Sequence, residues 1–260
     1  MMTRRLKTIY GIITALLMGA CSNIDESERL VYVEPAHVAR AVLIEDFTGQ
    51  RCVNCPNAVA EIERLEEAYG EENIIAVGIH SGPLSLFSTD KVKGLRTELG
   101  DTYYDYWNVE AEPSGLVDRR GGVMMLNQWA AQVYNELQLS APVQLSLQCH
   151  SQSGTISIQV TAKVFSDFKG KLQLWLTEDG IVAPQMMPDG TVDTDYVHNH
   201  VFRAAVNGTW GDEVEWKAGE ERILSYTIAL EEDWADDCLS VVAFVYNDAG
   251  VQQVTKLKIK

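Results

Sequence analysis

The stretch from Val42 to Pro56, VLIEDFTGQRCVNCP, constrains the fold more than any other part of the chain. The β-type run Val42-Leu43-Ile44 leads through Phe47 and Gly49 to Cys52-Val53-Asn54-Cys55. Asn57 to Tyr69 follows with Ala58, Ile62, Leu65, Ala68 and Tyr69 at helical spacing and Gly70 as a stop. Asn73 to His80 (NIIAVGIH) is a second apolar strand. Strand, helix and strand in such quick succession predict a right-handed βαβ unit with a parallel pair. Two cysteines three residues apart on one helical turn can join with little backbone movement. A Cys52 at the helix N-terminus is favoured as the thiolate by the free amides and dipole there.

The first twenty residues stand apart. Arg4, Arg5 and Lys7 form a positive leader, and Ile9 to Met18 is an apolar stretch too short for a comfortable transmembrane helix. Leu17-Met18-Gly19-Ala20-Cys21 resembles a bacterial lipobox, with Met18 where the pattern usually has Leu. That resemblance implies cleavage before Cys21 and its lipidation, hence a membrane anchor; an ordinary secretory signal is the alternative. Either way the chain is expected to be exported, where disulfides are permitted. Loss of residues 1–20 removes three basic and no acidic groups, leaving 18 Lys+Arg against 37 Asp+Glu and a net charge of −19. Such acidity argues against nucleic acid or an anionic lipid surface as a partner held by charge, so attachment rests on the lipid. Ser22 to Glu28 (SNIDESE) is a polar tether. Its acidic residues just after Cys21 resemble the export signal that carries lipoproteins of Bacteroidota to the outer face of the outer membrane; a solvated linker is the other reading.

At 260 residues the chain is expected to hold two cores. Leu30 to Val33 reads as a short edge strand ended by Pro35, Thr89 to Leu99 as a helix, and Pro113 as the opening of a short strand. Leu126 to Leu137 is an amphipathic helix with Leu126, Trp129, Val133 and Leu137 on one face. After Ser140-Ala141-Pro142 the pattern changes. The segments 143–148, 155–165, 171–177, 222–230, 239–246 and 254–259 alternate or run apolar with β-branched residues, separated by Gly, Asp and Asn turns. Six or more short strands predict an antiparallel sandwich of immunoglobulin-like type. The expected organisation is a signal at 1–20, a tether at 21–35, an α/β domain at 36–140 and an all-β sandwich at 141–260.

The order of elements over Ala36 to Leu139 resembles a thioredoxin-like domain. Asp46, six residues before Cys52, stands where thioredoxins carry a buried acid beneath the site, and Pro113 where they have a cis-proline facing the dithiol. Arg51 departs from the pattern, which has an aromatic residue there, and the Val-Asn dipeptide is also unusual; a cation beside the thiol lowers its pKa. The whole layout resembles the outer-membrane-protein-28-related lipoprotein family of Bacteroidota, through FTGQ (47–50) leading into CVNCP, GIHSGP (78–83), PSGLVDR (113–119) and HNHVFRAAVNGTWG (198–211). The resemblance implies an exported outer-membrane lipoprotein with thioredoxin-like features.

Cys52 and Cys55 admit three readings: a reversible dithiol in which the more exposed Cys52 attacks and Cys55 resolves, a permanent structural disulfide, or half of a zinc site lacking a second ligand pair. Under the first, Asp46 assists proton transfer at Cys55 and Pro113 keeps the substrate chain across the site. Cys149 and Cys238, left over once Cys21 is assigned to lipid, are expected to pair with each other or to remain buried thiols. His198 and His200 project to one face of an extended segment, beside Arg203, and would need Asp193 or Asp195 to hold a metal; ordinary packed histidines are the alternative. His80 ends its strand near the dithiol. Tyr103 to Trp107 either line a groove or pack. No cofactor or metal is assigned. The expected activity is thiol-disulfide exchange on exported proteins; the alternative is a surface lipoprotein for binding, adhesion or assembly on a redox-silent scaffold.

Overall fold

The computed structural model describes residues 39–259; the signal segment, Cys21, the tether and the strand expected at Leu30–Val33 lie outside them. The apolar run after Ala41 forms β1 (Val42–Thr48), buried at every position. The periodic segment after the cysteines forms α1 (Cys55–Tyr69), which ends at Gly70. β2 (Ile74–His80) pairs with β1 in parallel, from Val42 opposite Ile74 to Thr48 opposite His80. Next come α2 (Glu98–Tyr106), β3 (Ser114–Val117), β4 (Met124–Met125) and α3 (Leu126–Leu137), with β3 antiparallel to β1. The helix expected at Thr89–Leu99 is displaced. Thr89 Oγ1 accepts from the amides of Lys91 and Val92 and closes a local turn, while Thr97 Oγ1 accepts from Gly100 N at 2.9 Å and caps the true start of α2.

Beyond Ser140 the chain is built of strands: β5 (Val143–Gln152), β6 (Thr155–Val164), β7 (Phe168–Glu178), the two-residue β8 (Ile181–Val182), β9 (Gln185–Met186), β10 (Val192–Asp193) and β11 (Val197–His198), then β12 (Val201–Ala205), β13 (Asp212–Trp216), β14 (Glu221–Ala229), β15 (Leu239–Asn247) and β16 (Gly250–Lys258). The result is a mostly β architecture with mixed sheets. A nine-stranded sheet runs β16-β15-β7-β12-β2-β1-β3-β4, with β13 also on β7, and β14-β6-β5 form a separate antiparallel sheet.

The boundary expected near Ser140-Ala141-Pro142 is the point where α3 gives way to β5, and the large sheet continues across it. β12 lies parallel to β2, Val201 opposite Gly78, and antiparallel to β7. The described residues belong to one compact unit. The reason lies in β7 and β15, which bury both faces. Leu172, Leu174, Leu176, Val241, Ala243 and Val245 pack against the three-stranded sheet, while Trp175, Val242 and Phe244 join Leu43, Phe47, Val77 and Tyr103 on the other side. A third core lies where α1 and α3 cover the far face of β1 and β2, with Ile62, Leu65, Trp129 and Val133 against Val42, Ile44 and Ala76.

Candidate functional site

Cys52 and Cys55 form a disulfide with Cα atoms 5.4 Å apart. The turn carrying them precedes the helix: Cys52 N donates to Gly49 O at 2.9 Å, and α1 begins at Cys55. Cys55, not Cys52, therefore stands at the helix N-terminus, correcting the expectation that Cys52 does. Pro56, which has no N–H, occupies the first turn, where an amide would go unsatisfied anyway. Both cysteines are only 2% exposed, so Cys52 is not the more open thiol. The cover comes from β9 and the residue before it: Gln185 Nε2 donates to Cys52 O at 2.9 Å, Met186 N to Gln50 O at 2.8 Å, and Gln50 Nε2 to Pro184 O at 3.1 Å. Arg51 points to solvent. With both sulfurs joined, the zinc reading has no thiolate donors in this state.

Two carboxyls attend the disulfide. Asp46 is 2% exposed, and its Oδ1 has no hydrogen-bond partner. Burial, reinforced by the nearby charge of Glu112, pushes its pKa up to about 8. Glu112, which the sequence did not single out, has a carboxylate oxygen within 4.8 Å of both sulfurs. It precedes Pro113, and the Glu112–Pro113 bond is cis. Both Glu112 oxygens are buried without partners, and burial pushes its pKa up to about 7 against the opposing pull of Arg96. Two glycines make its seat: a Cβ on Gly49 would lie 2.7 Å from Glu112 Oε2, and one on Gly82 would lie 3.0 Å from Oε1 and 2.7 Å from the Tyr104 ring. The sequence signal was the acid directly before Pro113.

On the helix side of β1, Asp46 and Cys55 share a cavity of about 40 Å³ with Gly78, His80, Tyr196 and His198. That is room for ordered water, which the orphaned Asp46 Oδ1 and His80 Nδ1 both require. His80 and His198 are buried with ring centroids 5.2 Å apart. Burial holds the pKa of His80 well below the usual range and that of His198 at about 4, so both are neutral. The expectation that His198 and His200 share one face is corrected. His198 Nε2 contacts Ala183 O at 3.2 Å, whereas His200 adopts φ 57° and turns to Asp179 and Lys256. Among the described residues neither Asp193 nor Asp195 comes together with these histidines as a metal-ligand group; Asp193 accepts from Asp195 N, and Arg203 pairs with Glu178 at 3.2 Å. The aromatic run divides: Tyr103 packs, with Trp175 Nε1 donating to its Oη, which donates to Thr209 O, whereas Tyr106 and Trp107 line an open groove with Trp210 and Tyr246.

The bridge expected between Cys149 and Cys238 is absent; both are free thiols. Cys149 points from β5 into the apolar core between the sheets, where burial pushes its pKa up to about 11. Cys238 instead closes the short 3₁₀ turn Asp236–Cys238 ahead of β15, partly exposed at the rim rather than in that core.

Fold and site together define a mostly β protein in which an enclosed Cys-x-x-Cys disulfide is flanked by two buried carboxyls. The family model described as Outer membrane protein Omp28 matches residues 100–260, more than half of the chain. The chain belongs to the Omp28 family, and its location is the outer membrane. The matched span holds Glu112 and Pro113 and begins after Asp46, Cys52 and Cys55. Among solved structures, HBP35 of Porphyromonas gingivalis is similar in fold, with a TM-score of 0.66 and 15% identity, covering 85% of this chain and 76% of that one. Protein AGR_C_4864 from Agrobacterium tumefaciens has a TM-score of 0.52 and 14% identity, over 86% of this chain and 96% of that one. A domain of the outer membrane lipoprotein Omp28 from Porphyromonas gingivalis is 26% identical over 46% of this chain and 89% of that one, with a TM-score of 0.34. No curated protein matches the chain.

Proposed function

We propose that this outer-membrane protein is a lipoprotein, anchored through Cys21 after loss of residues 1–20, whose Cys52–Cys55 pair exchanges disulfides with exported proteins. The setting of the disulfide carries this reading. Asp46 and Glu112 are buried beside it without partners, and burial brings both into the range where they titrate near neutral pH. A clasp that only ties a turn needs neither group, and leaving a buried polar group unpaired costs about 1–3 kcal/mol. Carboxyls tuned to the working pH are what proton transfer to and from sulfur requires.

In this reading β1, α1, β2 and β3 form a thioredoxin-like half, and β5, β6 and β14 against β7 and β15 form an immunoglobulin-like sandwich sharing its sheet. A thiolate of the substrate attacks Cys52 Sγ, the bond to Cys55 breaks, and the electron pair passes to Cys55 Sγ, which takes a proton from Asp46 across the shared cavity. Pro113 flanks the approach. Gln185 and Met186 must swing aside to admit a protein substrate.

That cover favours a second reading, a redox-silent scaffold whose acidic surface binds or assembles, because a thiol 2% exposed is out of reach of a protein disulfide. Equilibration with glutathione and dithiothreitol separates the two. Exchange predicts a potential above about −300 mV, together with mixed disulfides trapped on a Cys55→Ser variant that keeps Cys52 as the attacking thiol. A potential below that value, with no trapped protein and no reduction of insulin, overturns the exchange reading.

A further inference from the structure

Asp46 and Cys55 line the same cavity, and Cys52 does not. A single proton carrier on that side leaves Cys52 without one, yet a full cycle of exchange moves a proton at each sulfur. On the other side of the disulfide stands Glu112, whose carboxylate lies within 4.8 Å of both Sγ atoms, one bridging water or a small side-chain rotation from contact. Neither oxygen is engaged elsewhere. Gly49 and Gly82 supply the space it fills, and at either position a Cβ would crowd the carboxylate.

The geometry points to Glu112 as the acid–base partner of Cys52, with Asp46 serving Cys55, so that each sulfur of the pair has its own carboxyl. This assignment rests on the exchange reading. After the first attack, Cys52 is bonded to a substrate sulfur. The substrate's second thiolate attacks that sulfur, the bond to Cys52 Sγ breaks, and the electron pair goes to Cys52 Sγ, which takes the proton of Glu112. The substrate dithiol is thereby oxidised to a disulfide and the Cys52–Cys55 pair reduced to two thiols, the protons coming from Glu112 and Asp46. Both carboxylates then regain protons from water. In reverse, the Glu112 carboxylate removes the proton of Cys52 and creates the attacking thiolate.

The ionisable groups facing Glu112 are Asp46 from β1, Arg96 from the loop after β2, Tyr104 from α2 and the two sulfurs. A reduced Cys52 thiolate favours the protonated acid and Arg96 opposes it, while Asp46 still holds its proton where Glu112 titrates. A carboxyl that titrates near pH 7 beside the disulfide therefore holds its proton to higher pH once a thiolate forms. Above pH 7 reduction therefore still takes up two protons per two electrons, one at Cys55 and one shared by Glu112 and Cys52, and the uptake falls to one only when that shared proton leaves at higher pH.

The test is the pH dependence of the Cys52–Cys55 equilibrium with dithiothreitol, from pH 5 to 9, in the wild type, Glu112→Gln and Asp46→Asn. Glutamine is isosteric with the protonated acid that the site already holds, and near-ultraviolet circular dichroism of the oxidised variants checks the fold. The expected result is an extension of the two-proton slope to higher pH in the wild type. Glu112→Gln loses it, Asp46→Asn keeps it, and Glu112→Asp restores it in part. Exchange with a small disulfide slows roughly 100-fold in Glu112→Gln. A Glu112→Gln variant whose profile and rate match the wild type overturns the assignment. Because dithiothreitol needs no protein substrate, failure to exchange with exported proteins counts against the function, while an unchanged profile counts against Glu112.

Discussion

Glu45 and Asp46 are consecutive on β1, so they face opposite sides of the sheet, and they are 0% and 2% exposed. Glu45 is fully provided for. Arg119 donates to both of its oxygens, at 2.6 and 3.1 Å, and the guanidinium lies 4.6 Å from the centre of the Tyr246 ring and 5.0 Å from that of Phe244. The same care extends along that edge of the sheet, where Asp118 takes Arg40 and the amide of Leu43, and Glu136 takes Arg120. Asp46 has no such partner, and Glu112 across the disulfide has none either. The chain therefore pairs its buried charges where they hold elements together and withholds partners next to the sulfurs. That contrast marks the two orphan carboxyls as features of the dithiol site rather than of the scaffold.

The largest effect should come from breaking the satisfied side. Arg119→Met leaves Glu45 buried and unpaired and is expected to cost about 3–5 kcal/mol in urea unfolding. A loss below about 1 kcal/mol, the range of an exposed pair, would mean that the pairing at Glu45 contributes little and that the contrast with Asp46 is empty. The next effect has the opposite sign. Asp46 has its folded-state pKa raised from 3.8 to about 8, so the folded state binds the extra proton and stability falls as pH rises through that window. Asp46→Asn should remove the slope and stabilise the protein by a few kcal/mol at pH 8 and far less at pH 5, given about 1.4 kcal/mol for each tenfold change in proton affinity. Equal stabilisation at both values would show that Asp46 does not titrate there. The smallest effect concerns the seat of Glu112. Gly82→Ala forces a side chain into φ +65° and against Tyr104 and Glu112, and should cost about 1–2 kcal/mol in thermal unfolding. A neutral result would leave the carboxyl freer than its close contacts imply.

The βαβ unit, α3 and most of the long strands are legible in the sequence because each carries its own period: two for β6, near four for α1 and α3, and unbroken apolar runs for β1 and β2. The shared sheet is not. β7 and β15 are apolar on both faces, and their one-letter pattern does not say that Trp175 and Phe244 serve a different core from Leu174 and Val245. The strands from Ile181 to Trp216 are two to five residues long and owe their existence to partners far away, as β12 does to β7 and β2. In the site, the CxxC, Asp46 and Pro113 stand at recognisable spacings. The cover by Gln185 and the approach of Glu112 depend on loops folding back onto the turn, which no local pattern records. The PSGLVDR segment, conspicuous as a motif, works as structure: Asp118 and Arg119 anchor β1 and β16.

The most direct test of the central claim is a carbon-13 NMR titration of the side-chain carboxyls of the oxidised, soluble protein, with Asp46→Asn and Glu112→Gln used for assignment. The account predicts that Asp46 and Glu112 titrate near pH 8 and pH 7. Each signal should vanish in its own variant, and the Asp46 titration should move to lower pH when the Glu112 charge is removed. Titration of both below about pH 5, as for ordinary solvated carboxylates, would contradict it.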